Sequence, residues 1–267
     1  MWIDSHAHVN DEAFWEDYRQ VIDSALAQGV ETVIVPGYDM PSSRLAVELA
    51  AREPILWAAV GIHPHDAKSW SPAVAFELAA LIQTPRVVAV GEIGLDYYYN
   101  HSSQEEQRVA LEAQLELAGQ FQKPVIIHNR DAHQDTLTVL TGFAKQHPKF
   151  VETMVEQCGA WGVMHCFSGS VETAIQFVKL GLLISFAGAL TFKNAVKLRD
   201  VAEKLPLSKL LVETDSPYLT PHPFRGRRNE PARVELVGEK LAEIKGLPVN
   251  EVMEATTANC KRLFGMG

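Results

Sequence analysis

Short apolar runs alternate with longer amphipathic stretches along almost the whole chain. The runs are rich in Val and Ile and too continuous for strands with one face in water, which indicates parallel strands buried on both faces. We assign eight strands to residues 2–9, 30–37, 55–64, 86–96, 123–129, 162–169, 182–188 and 209–217.

Between these runs, apolar residues recur at helical spacing, so each strand is predicted to precede a helix. The helical patterns cover residues 12–28, 43–52, 73–82, 104–121, 132–146, 171–180, 194–204 and 231–245. This alternation predicts an α/β fold, a single-domain (β/α)8 TIM-type barrel over residues 1–267. An open doubly wound sheet is the alternative, but no GxGxxG follows the first strand. Residues 144–161 are predicted to be a long connection and 248–264 a C-terminal helical extension.

Composition limits the class of protein. The chain has 267 residues, 47% of them hydrophobic, and a net charge of −9. Proteins that coat duplex nucleic acid by charge alone are usually basic, so any nucleic-acid contact must be local. The three cysteines lack metal-binding spacing, and their small odd number fits a reducing compartment. We see no signal peptide and no apolar stretch of about 20 residues that could cross a bilayer, and we expect a cytoplasmic monomer without membrane contact.

Histidines and acids accumulate where the predicted strands end, which is where parallel barrels carry their chemistry. The residues at these positions are His6, His8, His63, Glu92, His128, His165 and Asp215. A single histidine at such a position is more often a structural residue, and a single acid can cap the next helix. Seven such residues at one rim are better explained by binding of transition-metal ions.

The residue types suggest two metal ions rather than one. Two nearby cations repel each other and need a bridging anion, and Glu92 lies on a middle strand where it could reach both. The two sites would be completed by His6, His8 and Asp215 on one side and by His128 and His165 on the other. A water acidified between the ions would attack the substrate, and Asp215 would take its proton.

Six ordered motifs at these positions resemble the TatD family of metal-dependent deoxyribonucleases in the amidohydrolase superfamily. They are "DSHAHV" (4–9), "GIHPH" (61–65), "GEIGLDYYY" (91–99), "KPVIIHNRDA" (123–132), "MHCFSG" (164–169) and "LLVETDSPYL" (210–219). The resemblance implies a TIM-type barrel with two metal ions and 3′-to-5′ hydrolysis of single-stranded DNA. It implies as metal ligands His6, His8, Glu92, His128, His165 and Asp215. Related superfamily members bridge their metals with a carboxylated lysine, so Glu92 fits the nuclease branch better than the lactonase or phosphotriesterase branch.

Three further residues are candidates for substrate binding. His63 would hydrogen-bond to a phosphate or support a ligand, or else belong to a structural turn. Arg130 would clamp a phosphate or pair with Asp131 on the surface. Arg225 belongs to the basic segment 225–228, which would hold a nucleic-acid backbone or be a solvated loop. "RGRRNEP", which begins at Arg225, also resembles a basic element of the family.

Other residues near these motifs have less defined expectations. The tyrosines at 97–99 offer rings for stacking an unpaired base, although packing against the barrel explains at least two of them. Glu213 is expected to orient a ligand or a backbone group rather than bind metal directly. Cys166 is expected to point away from His165 and to pack in the interior.

Two questions stay open at the level of sequence. Four histidines among six ligands favour Zn, Mn, Fe, Co or Ni, whereas the activity of the resembling family is associated with Mg. A metallohydrolase of another ester, such as a lactone or the aminoacyl ester of a tRNA, would use the same two ions. A non-catalytic barrel that only binds ligands is disfavoured because all six ligands are present.

Overall fold

A computed structural model describes residues 1–266 and contains an eight-stranded parallel sheet whose strands follow one another in chain order. The strands are β1 Trp2–Asp4, β2 Val30–Pro36, β3 Leu56–Val60, β4 Val87–Asp96, β5 Val125–Arg130, β6 Gly162–Met164, β7 Leu182–Phe186 and β8 Leu210–Val212. The sheet closes into a barrel where β1 meets β8. There the amide of Ser5, just after β1, donates a hydrogen bond to the carbonyl of Val212 in β8 at 3.2 Å. The predicted TIM-type barrel is confirmed.

Helices surround the barrel and bury its outer face. They are α1 Tyr18–Ala27, α2 Met40–Arg52, α3 Pro72–Ile82, α4 Gln104–Phe121, α5 His133–Gln146, α6 Pro148–Cys158, α7 Val171–Lys179, α8 Val196–Lys204, α9 Val234–Lys245 and α10 Val249–Phe264. None of the helices within residues 1–266 is long and apolar enough to span a membrane.

Helix α6 corrects the prediction of a long connection over residues 144–161. Pro148 occupies the first turn, where its missing N–H costs nothing, and Gly159 ends the helix in the left-handed conformation with φ 77°. The helix buries only Phe150 and Met154, one turn apart. So short an apolar face gives a weak periodic signal, which explains the wrong prediction.

The inside of the barrel is filled at the amino end of the strands. One interior cluster contains apolar side chains of every strand, such as Ile34 and Ile126. Leu263 and Phe264 of α10 join this cluster, so the predicted C-terminal helix covers that end. Because the barrel is packed there, only the carboxyl end of the strands is left to form a cavity.

Several strands end earlier at that open end than predicted, whereas β4 ends at Asp96 as predicted. β1 stops at Asp4, so His6 lies beyond the sheet, whereas β4 continues to Asp96 and contains Glu92 within it. Gly94 has φ 151°, and a side chain there would lie 1.9 Å from the carbonyl oxygen of His128. Glycine therefore permits the close approach that brings His128 on β5 beside Glu92 on β4.

Candidate metal centre

The carboxyl ends of the strands surround a cavity of about 850 Å³. Most of the candidate ligands line it, and Tyr38, Tyr99, Arg130 and Tyr218 form parts of its rim. The candidate ligands fall into two groups, which meet at Glu92.

The first cluster consists of His6, His8, Asp215 and one carboxylate oxygen of Glu92. The Nε2 atoms of His6 and His8 are 3.2 Å apart, and Glu92 Oε2 lies 3.3 and 3.6 Å from them. Asp215 Oδ1 lies 3.9 Å from His6 Nε2 and 3.6 Å from His8 Nε2. Four atoms that carry lone pairs therefore converge on one point.

The second cluster forms around the other oxygen of the same carboxylate. Glu92 Oε1 lies 2.8 Å from His165 Nε2, 3.0 Å from His128 Nδ1 and 3.5 Å from His63 Nε2. The two oxygens of Glu92 thus face different clusters, as expected of a bridging group. His6 and His165 also stack at 3.9 Å between ring centroids, so the two clusters are directly adjacent.

These distances test whether the residues present would fit metal ions. Bonds of 2.0–2.2 Å to nitrogen and oxygen place the ligands of a tetrahedral ion about 3.4 Å from one another. The distances given above between ligand atoms of the first cluster range from 3.2 Å (His6 to His8) to 3.9 Å (His6 to Asp215). Imidazoles and carboxylates in this proportion suit divalent transition metals better than Mg²⁺, which prefers oxygen. The residues fit two divalent ions that share Glu92.

Carboxylates behind the second cluster fix its imidazole rings. His128 Nε2 lies 3.0 Å from Asp96 Oδ2, and His165 Nδ1 lies 3.2 Å from Glu213 Oε1. Histidines that bind metal commonly donate their second N–H to a carboxylate, which sets the tautomer and raises the basicity of the ligand nitrogen. This arrangement supports the orienting role expected for Glu213. It also assigns the same role to Asp96, which is completely buried.

The first cluster is supported through the main chain instead. Asp4 Oδ1 accepts hydrogen bonds from the amides of His6 at 3.3 Å and Thr214 at 2.9 Å, and its Oδ2 accepts from Thr214 Oγ1 at 2.5 Å. These bonds join the segment after β1 to the segment after β8. The amide of Asp215 also donates to the carbonyl of His6 at 2.9 Å. Asp4 therefore fixes the backbone that carries His6 and Asp215.

Burial favours the neutral forms of three groups in the cavity. Burial and the neighbouring His6 lower the pKa of His8 to about 3. Burial, reinforced by His128, lowers the pKa of His63 well below its usual value. Burial also raises the pKa of Asp215 to about 6. His8 and His63 are consequently neutral at pH 7, which is the form of imidazole that binds metal.

The second cluster behaves differently because its histidines contact carboxylates. Burial lowers the pKa of His165, but Glu92 and Glu213 outweigh burial and raise it well above the usual range. Burial opposes protonation of His128 as well, yet its hydrogen bonds to Asp96 and Glu92 raise its pKa. Burial raises the pKa of Glu92, and the adjacent His165 is the largest influence that brings it well below normal. A divalent cation entering this cluster would displace protons from its histidines.

Two of the residues predicted to bind substrate, His63 and Arg130, line the cavity. His63 lies in the second cluster, 3.5 Å from Glu92 Oε1, where it is a potential metal ligand as well as a substrate contact. Arg130 ends β5 and lines the cavity wall, with its guanidinium carbon 4.0 Å from the ring centroid of Tyr98. No ion pair joins Arg130 to Asp131 within the part of the chain that the structure describes.

Two arginines of the basic segment 225–228, Arg225 and Arg228, make different contacts. Arg228 donates to both oxygens of Asp17 at 2.9 and 2.6 Å and to the carbonyl of Ala13, so it holds the loop to the segment before α1. Arg225 lies 3.7 Å above the ring of Phe192 and has no acidic partner within residues 1–266. Arg225 does not line the cavity. That it binds substrate outside the cavity stays a prediction.

Reasoning from sequence missed or misplaced several residues here. Asp4 and Asp96 occur within the recognised motifs, but only their contacts show what they support. Cys166 lines the cavity instead of pointing away from it. The error arose because β6 ends at Met164 and Cys166 has φ 43°, which breaks the alternation of a strand. In the sequence, Asp96 stands out only as an acidic residue at the end of the apolar run 87–96.

Comparisons with known proteins identify relatives that match almost the whole chain. A family model described as "TatD related DNase" matches residues 3–265. An uncharacterized metal-dependent hydrolase of Bacillus subtilis, YabD, is 41% identical over 264 residues, which are 99% of each chain. A Klebsiella pneumoniae protein named 3′-5′ ssDNA/RNA exonuclease TatD is 35% identical over 268 residues, 98% of this chain and 97% of that protein. The crystal structure of YJJV, a TatD homologue from Escherichia coli K12, has a TM-score of 0.90 at 34% identity and covers 100% of this chain and 98% of its own.

Proposed function

The chain belongs to the TatD family of metal-dependent hydrolases in the amidohydrolase superfamily, and we propose that it is a 3′-to-5′ exonuclease acting on single-stranded DNA. The observation that carries the proposal is Glu92, whose two oxygens face two histidine-rich clusters. Two adjacent cations suit the displacement reaction of a phosphodiester, because both the attacking and the leaving oxygen need stabilisation. The relative named as a 3′-5′ ssDNA/RNA exonuclease supports the choice of nucleic acid, while YabD is named only as a hydrolase.

The chain's own residues have defined roles in this reaction. Divalent ions, when bound, would polarise the phosphoryl group and acidify the attacking water. Glu92 would hold both ions, and Asp215, which completes the first cluster and also lines the cavity, would accept the proton of that water. His63 would bind the second ion or a phosphate oxygen.

Charge around the cavity favours an anionic substrate despite the acidic composition of the chain. Two dications against Glu92 and Asp215 leave the ions and their direct ligands with a net positive charge, which the carboxylates of Asp96 and Glu213 behind the second cluster reduce. Arg130 adds a cation to the cavity wall. A local concentration of positive charge is what an acidic protein needs to bind a nucleic-acid backbone.

The test is digestion of single-stranded DNA labelled at its 5′ end. The protein is stripped with a chelator and reloaded with Mg²⁺, Mn²⁺ or Zn²⁺ in separate reactions, and Glu92→Ala is purified in parallel as the contamination control. We expect a metal-dependent ladder that shortens from the 3′ end and is absent with the variant. An intact substrate with every metal would overturn the nuclease assignment and favour hydrolysis of a lactone or an aminoacyl-tRNA ester by the same centre.

A further inference from the structure

Three tyrosines, residues 97–99, follow the end of β4, and the last of them, Tyr99, lines the cavity. Tyr98 and Tyr99 keep 58% and 49% of their surface exposed. The rings of Tyr99 and His101 stack on each other, 9° apart in orientation with centroids 5.5 Å apart, and both side chains line the cavity. Tyr97, in contrast, is partly buried and donates a hydrogen bond to Asp135 at 2.8 Å. The stacked pair of Tyr99 and His101 thus presents aromatic surface to the cavity, whereas Tyr98 is exposed outside its lining.

Arg130 is held by these rings rather than by an acid. Its guanidinium carbon lies 4.0 Å from the centroid of Tyr98 and 4.7 Å from that of Tyr99. A cation–π contact orients a guanidinium without neutralising its charge. The N–H groups of Arg130 make no ion pair within residues 1–266 and are available for a phosphate, which an arginine can bind through two hydrogen bonds.

Asp96 fixes the position of these rings relative to the metal centre. Its Oδ1 accepts hydrogen bonds from the amides of Tyr98 at 3.0 Å and Tyr99 at 2.9 Å. Its Oδ2 lies 3.0 Å from His128 Nε2 and 3.0 Å from His65 Nε2. One buried carboxylate therefore orients a candidate metal ligand and the turn that carries the rings, so the distance between the two is set by the fold.

A polar group beside Arg130 also lacks a partner. Asn129 lines the cavity, and its buried amide nitrogen and oxygen have no hydrogen-bond partner among the described residues. Buried amides that are left unpaired cost free energy, so such a group is expected to bind a ligand or water. An amide can donate and accept, as the edge of a nucleobase also does.

From this arrangement we infer a nucleotide subsite in which an unpaired base extends the stack of Tyr99 and His101 and Arg130, held by Tyr98, binds a phosphate of the same strand. The inference rests on the proposed function and assigns the residues by which the chain would recognise an unpaired strand. Every base has a face that can stack, so the subsite selects for a free strand and tolerates any sequence. A duplex keeps its bases paired and stacked, and a small ester has no base to offer.

The experiment compares two variants of the subsite with two matched controls, all in the full chain loaded with metal. Tyr99→Leu removes the stacking ring, and Arg130→Gln removes the cation. The controls are Phe76→Leu, an aromatic side chain 81% exposed on α3, and Arg52→Gln, which pairs with Glu48 near the end of α2. Neither control residue lines the cavity.

Each protein is assayed on two substrates and in one binding measurement. The substrates are a single-stranded oligonucleotide and methyl p-nitrophenyl phosphate, a diester without a nucleobase. Binding is followed by quenching of 2-aminopurine in a phosphorothioate oligonucleotide that resists hydrolysis. We expect Tyr99→Leu to raise KM for the oligonucleotide about 5- to 100-fold, which corresponds to loss of stacking on one base. Tyr99→Phe keeps a stacking ring and should restore the wild-type KM. The small diester, which has no base to stack, should be hydrolysed normally by Tyr99→Leu and by both controls.

The outcomes separate the subsite from the proposed function. Equal losses of Tyr99→Leu on both substrates, or an unchanged KM for the oligonucleotide in both Tyr99→Leu and Arg130→Gln, would overturn the subsite without contradicting the nuclease activity of the wild type. If no metal supports cleavage of the oligonucleotide, the proposed function fails. In that case, quenching by the wild type that is lost in Tyr99→Leu and retained in Phe76→Leu would still support the subsite, and quenching that is equal in all variants would overturn it.

Discussion

The two clusters that share Glu92 are held in place in different ways. In the second cluster, carboxylates form hydrogen bonds with the imidazole rings themselves: Asp96 with His128 and Glu213 with His165. In the first cluster, the support reaches the backbone through Asp4. The buried Nδ1 atoms of its two histidines, by contrast, have no hydrogen-bond partner within residues 1–266.

This difference predicts unequal affinities for metal. Rings braced by carboxylates are fixed in orientation and are more basic, and both effects strengthen metal binding. We therefore expect the ion of the second cluster to be retained more tightly. The ion of the first cluster, beside Asp215, should exchange more readily. Substitutions that each remove one element of this contrast test it.

Replacing the shared ligand should have the largest effect because it damages both clusters at once. Glu92→Gln keeps the size of the side chain but removes the charge that offsets two cations. We expect turnover of any phosphodiester to fall by roughly 1000-fold or more, since Lewis-acid stabilisation contributes several kcal/mol. Turnover of methyl p-nitrophenyl phosphate and metal content by atomic emission check this. A variant that keeps both ions and normal turnover would contradict a shared bridging carboxylate.

Removing one brace should affect only the second cluster. In Glu213→Gln, His165 loses a charged partner for Nδ1, so we expect its ion to bind about 10- to 100-fold more weakly. Calorimetric titration of the stripped protein with Zn²⁺ would resolve the two binding events. Asp96→Asn removes the other brace and should weaken the same event. Weakening of both events to the same extent by either variant would remove the distinction between the clusters.

Substitution of His63 tests whether this residue is a ligand of the second ion. Its Nε2 is the most distant of the three nitrogens from Glu92 Oε1, at 3.5 Å, so it is the weakest candidate ligand. We expect His63→Ala to weaken the second ion about tenfold, an effect at the lower end of those from altered metal surroundings. Titration with Zn²⁺ measures this directly. If KM for the oligonucleotide rises while metal affinity stays normal, His63 binds substrate alone, as the sequence first suggested.

The sequence predicted six candidate ligands and an orienting role for Glu213, but it did not indicate that Asp4 and Asp96 support the two clusters. A histidine within an apolar strand such as "KPVIIHN" is out of keeping with its neighbours, and strand order alone places it at the open end of the barrel. The supports depend on contacts across distant segments, such as Asp4 with Thr214, which no local pattern records. The same limit applies to helix α6, because the two side chains it buries make too short an apolar face to be recognised.

Asp4 should have the smallest effect on turnover, because Asn keeps an oxygen that can accept from the amides of His6 and Thr214. Burial, opposed by the hydrogen bonds from Thr214 and His6, raises the pKa of Asp4 to about 8. Asp4→Asn therefore replaces a side chain that is largely neutral at pH 7 with another neutral one. Turnover close to that of the wild type is expected, and a loss as large as that of Glu92→Gln would show that ionised Asp4 is required.

The same substitution should change how stability depends on pH. Between the unfolded pKa of about 3.8 and the folded value of about 8, folded Asp4 holds a proton that the unfolded chain has released. Its contribution to stability is therefore full below pH 4 and falls as pH rises toward 8, by at most about 1.4 kcal/mol per pH unit. Asp4→Asn lacks this dependence, so its free energy of unfolding relative to the wild type should increase between pH 5 and pH 8. Urea unfolding of both metal-free proteins measures that difference, and parallel pH profiles would mean that Asp4 is ionised beneath the first cluster.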